Sequence, residues 1–364
     1  MNKHSSIILI VFVVLVLIGL FMLASASYFE SCQKFNDCYH YLKRQLFRSL
    51  PFALVGFLFF YFFNYKYLKK LALPIFILSL VLLALVFIPS LGQTKGQASC
   101  WVNVFGINFQ PSEFAKIGFV IYLSAFFAAK KEQIRELGGG FIPVVFIMGL
   151  VMLFFVLQSD LGALAMFAGT GIGLYFLARS KLSHIVVLIL ILIILGGFLV
   201  NTVPYVKERF STFLNPGQDL QENAFQVNQA ELAIGSGGIF GKGLGRSSQK
   251  LDVLPEVISD SIFAVLAEEV GFLGSFIVIM LYFLLIYQIF VLSSKVSDEF
   301  GSFLSAGLGL FLVIQIFFNV GGNLGVIPLT GVPLPFMGYG GSNLIFLFSA
   351  LGIILNISKK GIKK

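Results

Sequence analysis

Long apolar stretches separated by short polar breaks dominate the chain. They are Ile7–Ala24, Pro51–Phe63, Leu71–Leu91, Ile117–Ala129, Phe141–Leu157, Leu161–Ala178, Ile185–Val200, Ile262–Leu292, Phe303–Phe318 and Leu344–Ile357. With its flanks, each reaches the roughly 20 apolar residues that a helix needs to cross a bilayer. Strands of a membrane barrel would alternate apolar and polar positions, and these runs are unbroken. The pattern predicts an all-α polytopic membrane protein of about ten transmembrane helices. The first run has the length of a signal peptide, but many spans follow it, so it is read as a retained helix. Gln158-Ser159-Asp160 divides a stretch, Phe141–Ala178, that is too long for one span.

An even number of spans places both ends on one side. Segments on that side carry 14 basic residues: Lys3, Lys66, Lys69, Lys70, Lys130, Lys131, Arg135, Arg179, Lys181, Lys295, Lys359, Lys360, Lys363 and Lys364. The short loops opposite carry five: Lys34, Lys43, Arg44, Arg48 and Lys95. The asymmetry predicts that both termini are cytoplasmic. The outer loops are then Ser27–Arg48, Gly92–Pro111, a long one of about residues 201–261 between helices 7 and 8, and Gly321–Gly341. The inner links are too short for a soluble domain, so residues 1–364 form a single membrane domain.

Composition agrees. The 364 residues are 58% hydrophobic and 12% charged, far from a soluble domain. The net charge of +8 is accounted for by orientation and gives no reason to expect nucleic acid. Three Cys and three His are scattered without zinc-ligand spacing. Cys32 and Cys38 share an outer loop, where a structural disulfide is compatible with an oxidising compartment. GSGGIFGKG is no ATP-binding loop: Ser236 stands where the first Gly belongs, and Gly243 replaces the Ser or Thr.

Candidate chemistry gathers at Leu254–Gly274, which holds Glu256, Asp260, Glu268 and Glu269, with Asp252 just before it. Carboxylates at a membrane boundary are costly and usually mark a site. Asp260 directly precedes a helix, so it is either a carboxylate favoured by the helix dipole or a partly desolvated general base. Glu268 and Glu269 either protrude into water or face a polar cavity. Glu113 and Lys116, three apart, suit a local ion pair. Asp160 must find a partner across helices. Lys207, Arg209, Lys242, Arg246 and Lys250 lie in the long loop. Several flank the Gly-rich run, whose N–H groups would approach an anion such as a lipid phosphate. Gly169 and Gly173 suit close helix packing.

QPSEFAK at 110–116, QSDLGA at 158–163, AIGSGGIFGKGLGRSSQKLDVLPE at 233–256, SDSIFAVLAEEVGFLG at 259–274 and NLGVIPLTGVPLPFMGYGGS at 323–342 occur in order along the chain. Together they resemble the SEDS family, the FtsW, RodA and SpoVE proteins of bacterial cell-wall synthesis. The resemblance implies a ten-helix peptidoglycan glycosyltransferase that polymerises lipid II at the outer face of the cytoplasmic membrane. It puts the family's essential acid on Asp260 as catalytic base. It puts Glu113, Lys116 and Asp160 in the polar core near the substrate. Arg209, Lys242, Arg246, Lys250 and Glu256 are candidates for holding substrate, the basic ones for its pyrophosphate. A divalent cation, Mg²⁺ or Mn²⁺, suits such a reaction. SSQKLDVLPE, TFLNP at 212–216 and NLG at 323–325 are similar to the FtsW form, whereas PLTG at 328–331 is closer to RodA. The favoured reading is the division enzyme, at the septum. Its implied partners are nascent lipid-linked glycan, a class B penicillin-binding transpeptidase of the FtsI type and other divisome proteins. A RodA-type elongation polymerase, a lipid II flippase and a structural scaffold are the alternatives. The sequence departs from the family pattern at Ile258, Ser259 and Ser261 around the acid, at Cys100, at Gly338 and at Asn343.

Overall fold

The computed structural model describes residues 3–95, 98–104, 107–214, 222–250 and 254–361. The helices in order are α1 (Lys3–Phe35), α2 (His40–Arg44), α3 (Leu50–Phe62), α4 (Tyr65–Lys70), α5 (Ala72–Leu85), α6 (Pro111–Ala129), α7 (Ile142–Leu157), α8 (Leu161–Leu177), α9 (Leu182–Thr202), α10 (Pro204–Leu214), α11 (Glu222–Ser236), α12 (Ile262–Lys295), α13 (Glu299–Asn323) and α14 (Gly341–Lys360). A π-helical turn, Gln45–Ser49, joins α2 to α3, and another, Leu137–Phe141, leads into α7. Eight helical segments are long and apolar enough to cross a membrane, and the shorter apolar α5 and α8 complete the ten expected spans among the described residues. Ser159, in the left-handed region at φ 57°, separates α7 from α8 as the sequence break predicts.

Contacts at one end of the bundle fix the topology. Lys295 Nζ meets His4 Nε2 at 2.7 Å, and the Ser297 amide donates to the Gly361 carbonyl at 2.9 Å. Lys131 pairs with Glu299, and the Tyr65 hydroxyl donates to Asp298. Both chain ends and three inter-helix links therefore share one face. It is the face with the excess of Lys and Arg, hence the cytoplasmic one.

The opposite face holds more structure than apolar patterning reveals. Cys32 and Cys38 form a disulfide between the end of α1 and the approach to α2. The second outer loop folds into an antiparallel sheet of β1 (Gly92–Lys95), β2 (Ala98–Val104) and β3 (Ile107–Phe109). The long outer loop contains α10 and α11, which carry no long apolar run to announce them.

Inside the bundle α13 packs on α6, α8 and α12, α14 on α3, and α1 on α12. Cβ atoms at Gly169 and Gly173 would lie 3.0 and 2.8 Å from Ile314 and Leu310, so this pair does serve close packing of α8 on α13. Helix α12 is two helices end to end. Gly271, at φ 70° and ψ −170°, breaks it two residues after Glu269. A helix break orphans carbonyls before it and amides after it, and the Gly-rich loop satisfies them. Lys242 N and Gly243 N donate to Glu268 O and Glu269 O at 2.9 and 3.0 Å, while Phe272 N and Leu273 N donate to Gly238 O and Ile239 O at 2.8 and 3.1 Å. A Cβ on Gly271 would fall 2.3 Å from Gly241 N, a contact that only glycine permits at this φ. Two of the N–H groups expected to approach an anion are thus spent on α12. The run therefore serves as a packing seam against α12.

Candidate active site on the outer face

Asp260 is the second residue before α12. Its backbone is held and its carboxyl is not. The carbonyl of Asp260 accepts from Asn319 Nδ2 and Asn323 Nδ2, each at 2.9 Å. These asparagines stand one turn apart on α13, so both amides reach the same carbonyl. Asn319 Nδ2 also donates to Val332 O at 2.9 Å, and Gln315, one turn further, donates to Pro333 O at 2.9 Å and to Asn343 Oδ1 at 3.2 Å. A row of amides on one helix face thus ties the 328–333 segment to the acid. Asn343, one of the departures from the family pattern, belongs to that row. On the other side Tyr339 N donates to Ile258 O, and Gln226 Nε2 donates to Ser261 Oγ at 3.0 Å.

The carboxyl of Asp260 is half-buried, and Oδ2 lies 3.5 Å from where a Cβ on Gly331 would stand. No side chain among the described residues hydrogen-bonds to it. Burial, reinforced by the like charge of Glu256, pushes its pKa up to about 7, while Arg209 acts in the opposite sense. Glu256 is exposed and accepts from Ser259 Oγ at 2.6 Å.

Arg209, on α10, donates from Nη1 to Leu329 O at 2.7 Å. Its charge acts on both Asp260 and Asp160. Asp160 caps α8 by accepting from Ala163 N at 2.9 Å, and it also feels Lys116 and Glu113. Lys116 and Glu113 form the local pair expected, at 2.8 Å and fully buried, with the Lys116 ammonium 5.0 Å from the Phe346 ring centroid. Asp260, Arg209, Asp160, Lys116 and Glu113 are thus coupled as charges of alternating sign at the outer ends of their helices. The Pro328–Val332 segment runs along them: Arg209 holds Leu329 O, and Gly162 of α8 fits under Thr330 O.

Lys242 and Lys250 are engaged elsewhere. Lys242 Nζ donates to Glu268 at 2.6 Å, and Glu268 also accepts from Ser247, from Ser248 N at 3.1 Å and from Ser248 Oγ at 2.9 Å. Lys250 Nζ donates to Glu269 at 2.8 Å and to Ser25 Oγ at 3.0 Å, and Ser25 Oγ donates to Glu269 at 2.6 Å. Glu268 and Glu269 are buried and ion-paired. Neither expectation for them holds, because loop cations cover them where water or a polar cavity was foreseen. Lys242 and Lys250 act as ties that hold the long loop to α12. Arg246 and Lys207 are exposed, and Asp252 lies outside the described residues.

Among the described residues no three His, Cys, Asp or Glu cluster as a closed metal site. The like charge of Glu256 acts on Asp260, so these are the two carboxylates at the site that would be available to a divalent cation.

Gln315, Asn319 and Asn323 were not singled out from sequence. Their signal was present: amides at i, i+4 and i+8 in an apolar run mark one polar helix face.

A bundle of apolar helices with a half-buried acid and coupled charges at its outer ends defines a multi-pass membrane protein with a candidate site on its outer face. Residues 5–362 match the family model described as "Cell cycle protein", that of FtsW, RodA and SpoVE, and the chain belongs to this family. It is 36% identical over 360 residues to a probable peptidoglycan glycosyltransferase FtsW of Geobacter sp. (strain M18), covering 98% of this chain and 97% of that one. It is 36% identical over 365 residues to stage V sporulation protein E of Bacillus subtilis (strain 168), covering 98% of each. Among solved structures it is similar to a chain from work on structural coordination of polymerization and crosslinking by a peptidoglycan synthase complex (TM-score 0.80, 26% identity, 97% of this chain and 96% of that one). It is also similar to the rod shape determining protein RodA of Thermus thermophilus (TM-score 0.72, 25% identity, 98% and 97%).

Proposed function

We infer that the protein is a peptidoglycan glycosyltransferase that polymerises lipid II at the outer face of the bacterial cytoplasmic membrane. The observation that carries the reading is Asp260: an acid fixed by its backbone, with a free, half-buried carboxyl whose pKa of about 7 suits proton abstraction.

The acceptor's N-acetylglucosamine 4-hydroxyl attacks the anomeric carbon of a lipid-linked donor. Asp260 takes the hydroxyl proton as the new C–O bond forms, and the lipid pyrophosphate leaves with the electrons of the broken bond. An α-linked donor yields a β-linkage by single displacement, so one base suffices and no second carboxylate need act as nucleophile. Charge develops on the departing pyrophosphate and calls for a cation. Arg209 is the residue we assign to it, because its charge acts directly on Asp260. A divalent cation, Mg²⁺ or Mn²⁺, would be held by Glu256 together with the donor's phosphate oxygens and would add positive charge for the leaving group. Asp160, Lys116 and Glu113 would orient the sugar or the lipid neck behind the acid.

The FtsW-like motifs favour action at the division septum with a class B penicillin-binding transpeptidase. Depletion in cells tests that assignment: filaments are expected, and round cells would mean elongation instead. The activity itself is tested by reconstituting the protein with its transpeptidase partner and lipid II, then separating products by size. Glycan strands are expected. Labelled lipid II crossing the bilayer without polymer would make the protein a flippase.

A further inference from the structure

The loop that repairs the break in α12 carries large apolar side chains on its outer side. Ile239 is 64% exposed, Phe240 80% and Leu244 56%. A cluster of this kind on the aqueous side of a protein marks a contact. Its depth follows from α12. From Phe272 to Lys295 the helix is about 36 Å long, against a hydrocarbon core of about 30 Å. Lys295 meets His4 at the inner face. Phe272 therefore stands at the outer edge of the hydrocarbon layer. The hydrogen bonds from Phe272 N to Gly238 O and from Leu273 N to Ile239 O hold the loop tip at that level. Phe272, Leu273, Phe276 and Ile277 are themselves exposed, so the tip continues a lipid-facing band. Arg246, exposed and paired with no carboxylate among the described residues, follows two positions after Leu244.

We propose that the 239–246 tip is a membrane-seating wedge, in which Ile239, Phe240 and Leu244 enter the outer leaflet beside Phe272 and Arg246 meets phospholipid phosphates. Apolar side chains with a neighbouring cation are the composition of an interfacial anchor. The same loop is tied to α12 through Lys242–Glu268 and Lys250–Glu269, so the wedge also sets the height of the outer α12 segment and of Asp260 above the lipid. The proposal concerns the bilayer and stands independently of the reaction assigned above.

The chain has one Trp, so depth can be read by fluorescence. Phe240→Trp in a Trp101→Phe background is reconstituted in phosphatidylcholine–phosphatidylglycerol vesicles, with Trp101→Phe alone as blank. The emission should be blue-shifted, lose about half its intensity to lipids carrying a doxyl group near the head, and respond little to iodide. Leu244→Trp gives the same readout should Phe240→Trp not fold. Quenching by iodide and not by doxyl lipid overturns the proposal. So does doxyl quenching that disappears when the transpeptidase partner is reconstituted in equal amount, for the face would then belong to a protein helix.

Discussion

Asn319 donates its side-chain amide to the backbone carbonyl of Asp260 at 2.9 Å. The bond holds the main chain of the acid and leaves its carboxyl free. Asn319 also bonds Val332 O, so a single amide sets the acid against the segment that Arg209 grips through Leu329. Asn319→Ala should lower kcat at least tenfold with a much smaller change in KM, because the base is misplaced while the lipid track is intact. The unpaired Val332 carbonyl should also cost about 1–3 kcal/mol of stability. Asn323→Ala should have a smaller effect, since it leaves intact the bond from Asn319 that ties the acid to Val332. Equal losses in kcat and KM from Asn319→Ala would make it a packing residue only.

Asp260 must be ionised to accept a proton. With its pKa raised to about 7, polymerisation should rise as pH climbs through 7 and then level off. Below that point the rate should fall about tenfold per pH unit. Arg209 opposes the shift, so Arg209→Gln should move the midpoint to higher pH. Rates measured from pH 5.5 to 8.5 check both statements.

The same shift has a consequence for stability. The folded state binds the Asp260 proton more tightly than the unfolded chain, so this group favours folding least once pH exceeds about 7. Asp260→Asn removes an ionised, half-buried carboxylate. It should raise the melting temperature more at pH 8 than at pH 5, because the penalty grows as pH rises from the ordinary carboxylate value of 3.8 to about 7. Thermal unfolding in detergent at the two pH values measures the difference.

Lys250 and Glu269 are both buried, and Ser25 of α1 completes their site. Glu269→Gln leaves a buried ammonium without its counter-charge and should cost about 3–5 kcal/mol. Lys250→Met together with Glu269→Gln should recover most of that loss. Lys242–Glu268 should couple more weakly, because Lys242 is partly in solvent. A double-mutant cycle on unfolding free energy compares the two pairs.

The span positions were legible because a bilayer demands unbroken apolar runs, and each predicted run falls on a helix, although Leu71–Leu91 continues six residues past the end of α5 at Leu85. The short sheet at Gly92–Phe109 and helices α10 and α11 lie outside that constraint, and hydropathy gives them no mark. The pairing of Glu113 with Lys116 could be read from three-residue spacing. The partners of Glu268 and Glu269 could not, since Lys242 and Lys250 reach them only when the loop folds back on Gly271. Asp260 itself illustrates the boundary. Its sequence position suits a helix-start carboxylate, and only the amides of Asn319 and Asn323 with the nearby charges of Glu256 and Arg209 distinguish it.

Polymer formation by Asp260→Asn against wild type, with lipid II in excess and both proteins equally folded, is the decisive comparison. Loss of the base should slow strand synthesis by roughly 100-fold or more, with lipid II binding retained. Strands made by Asp260→Asn at the wild-type rate would remove Asp260 from the reaction.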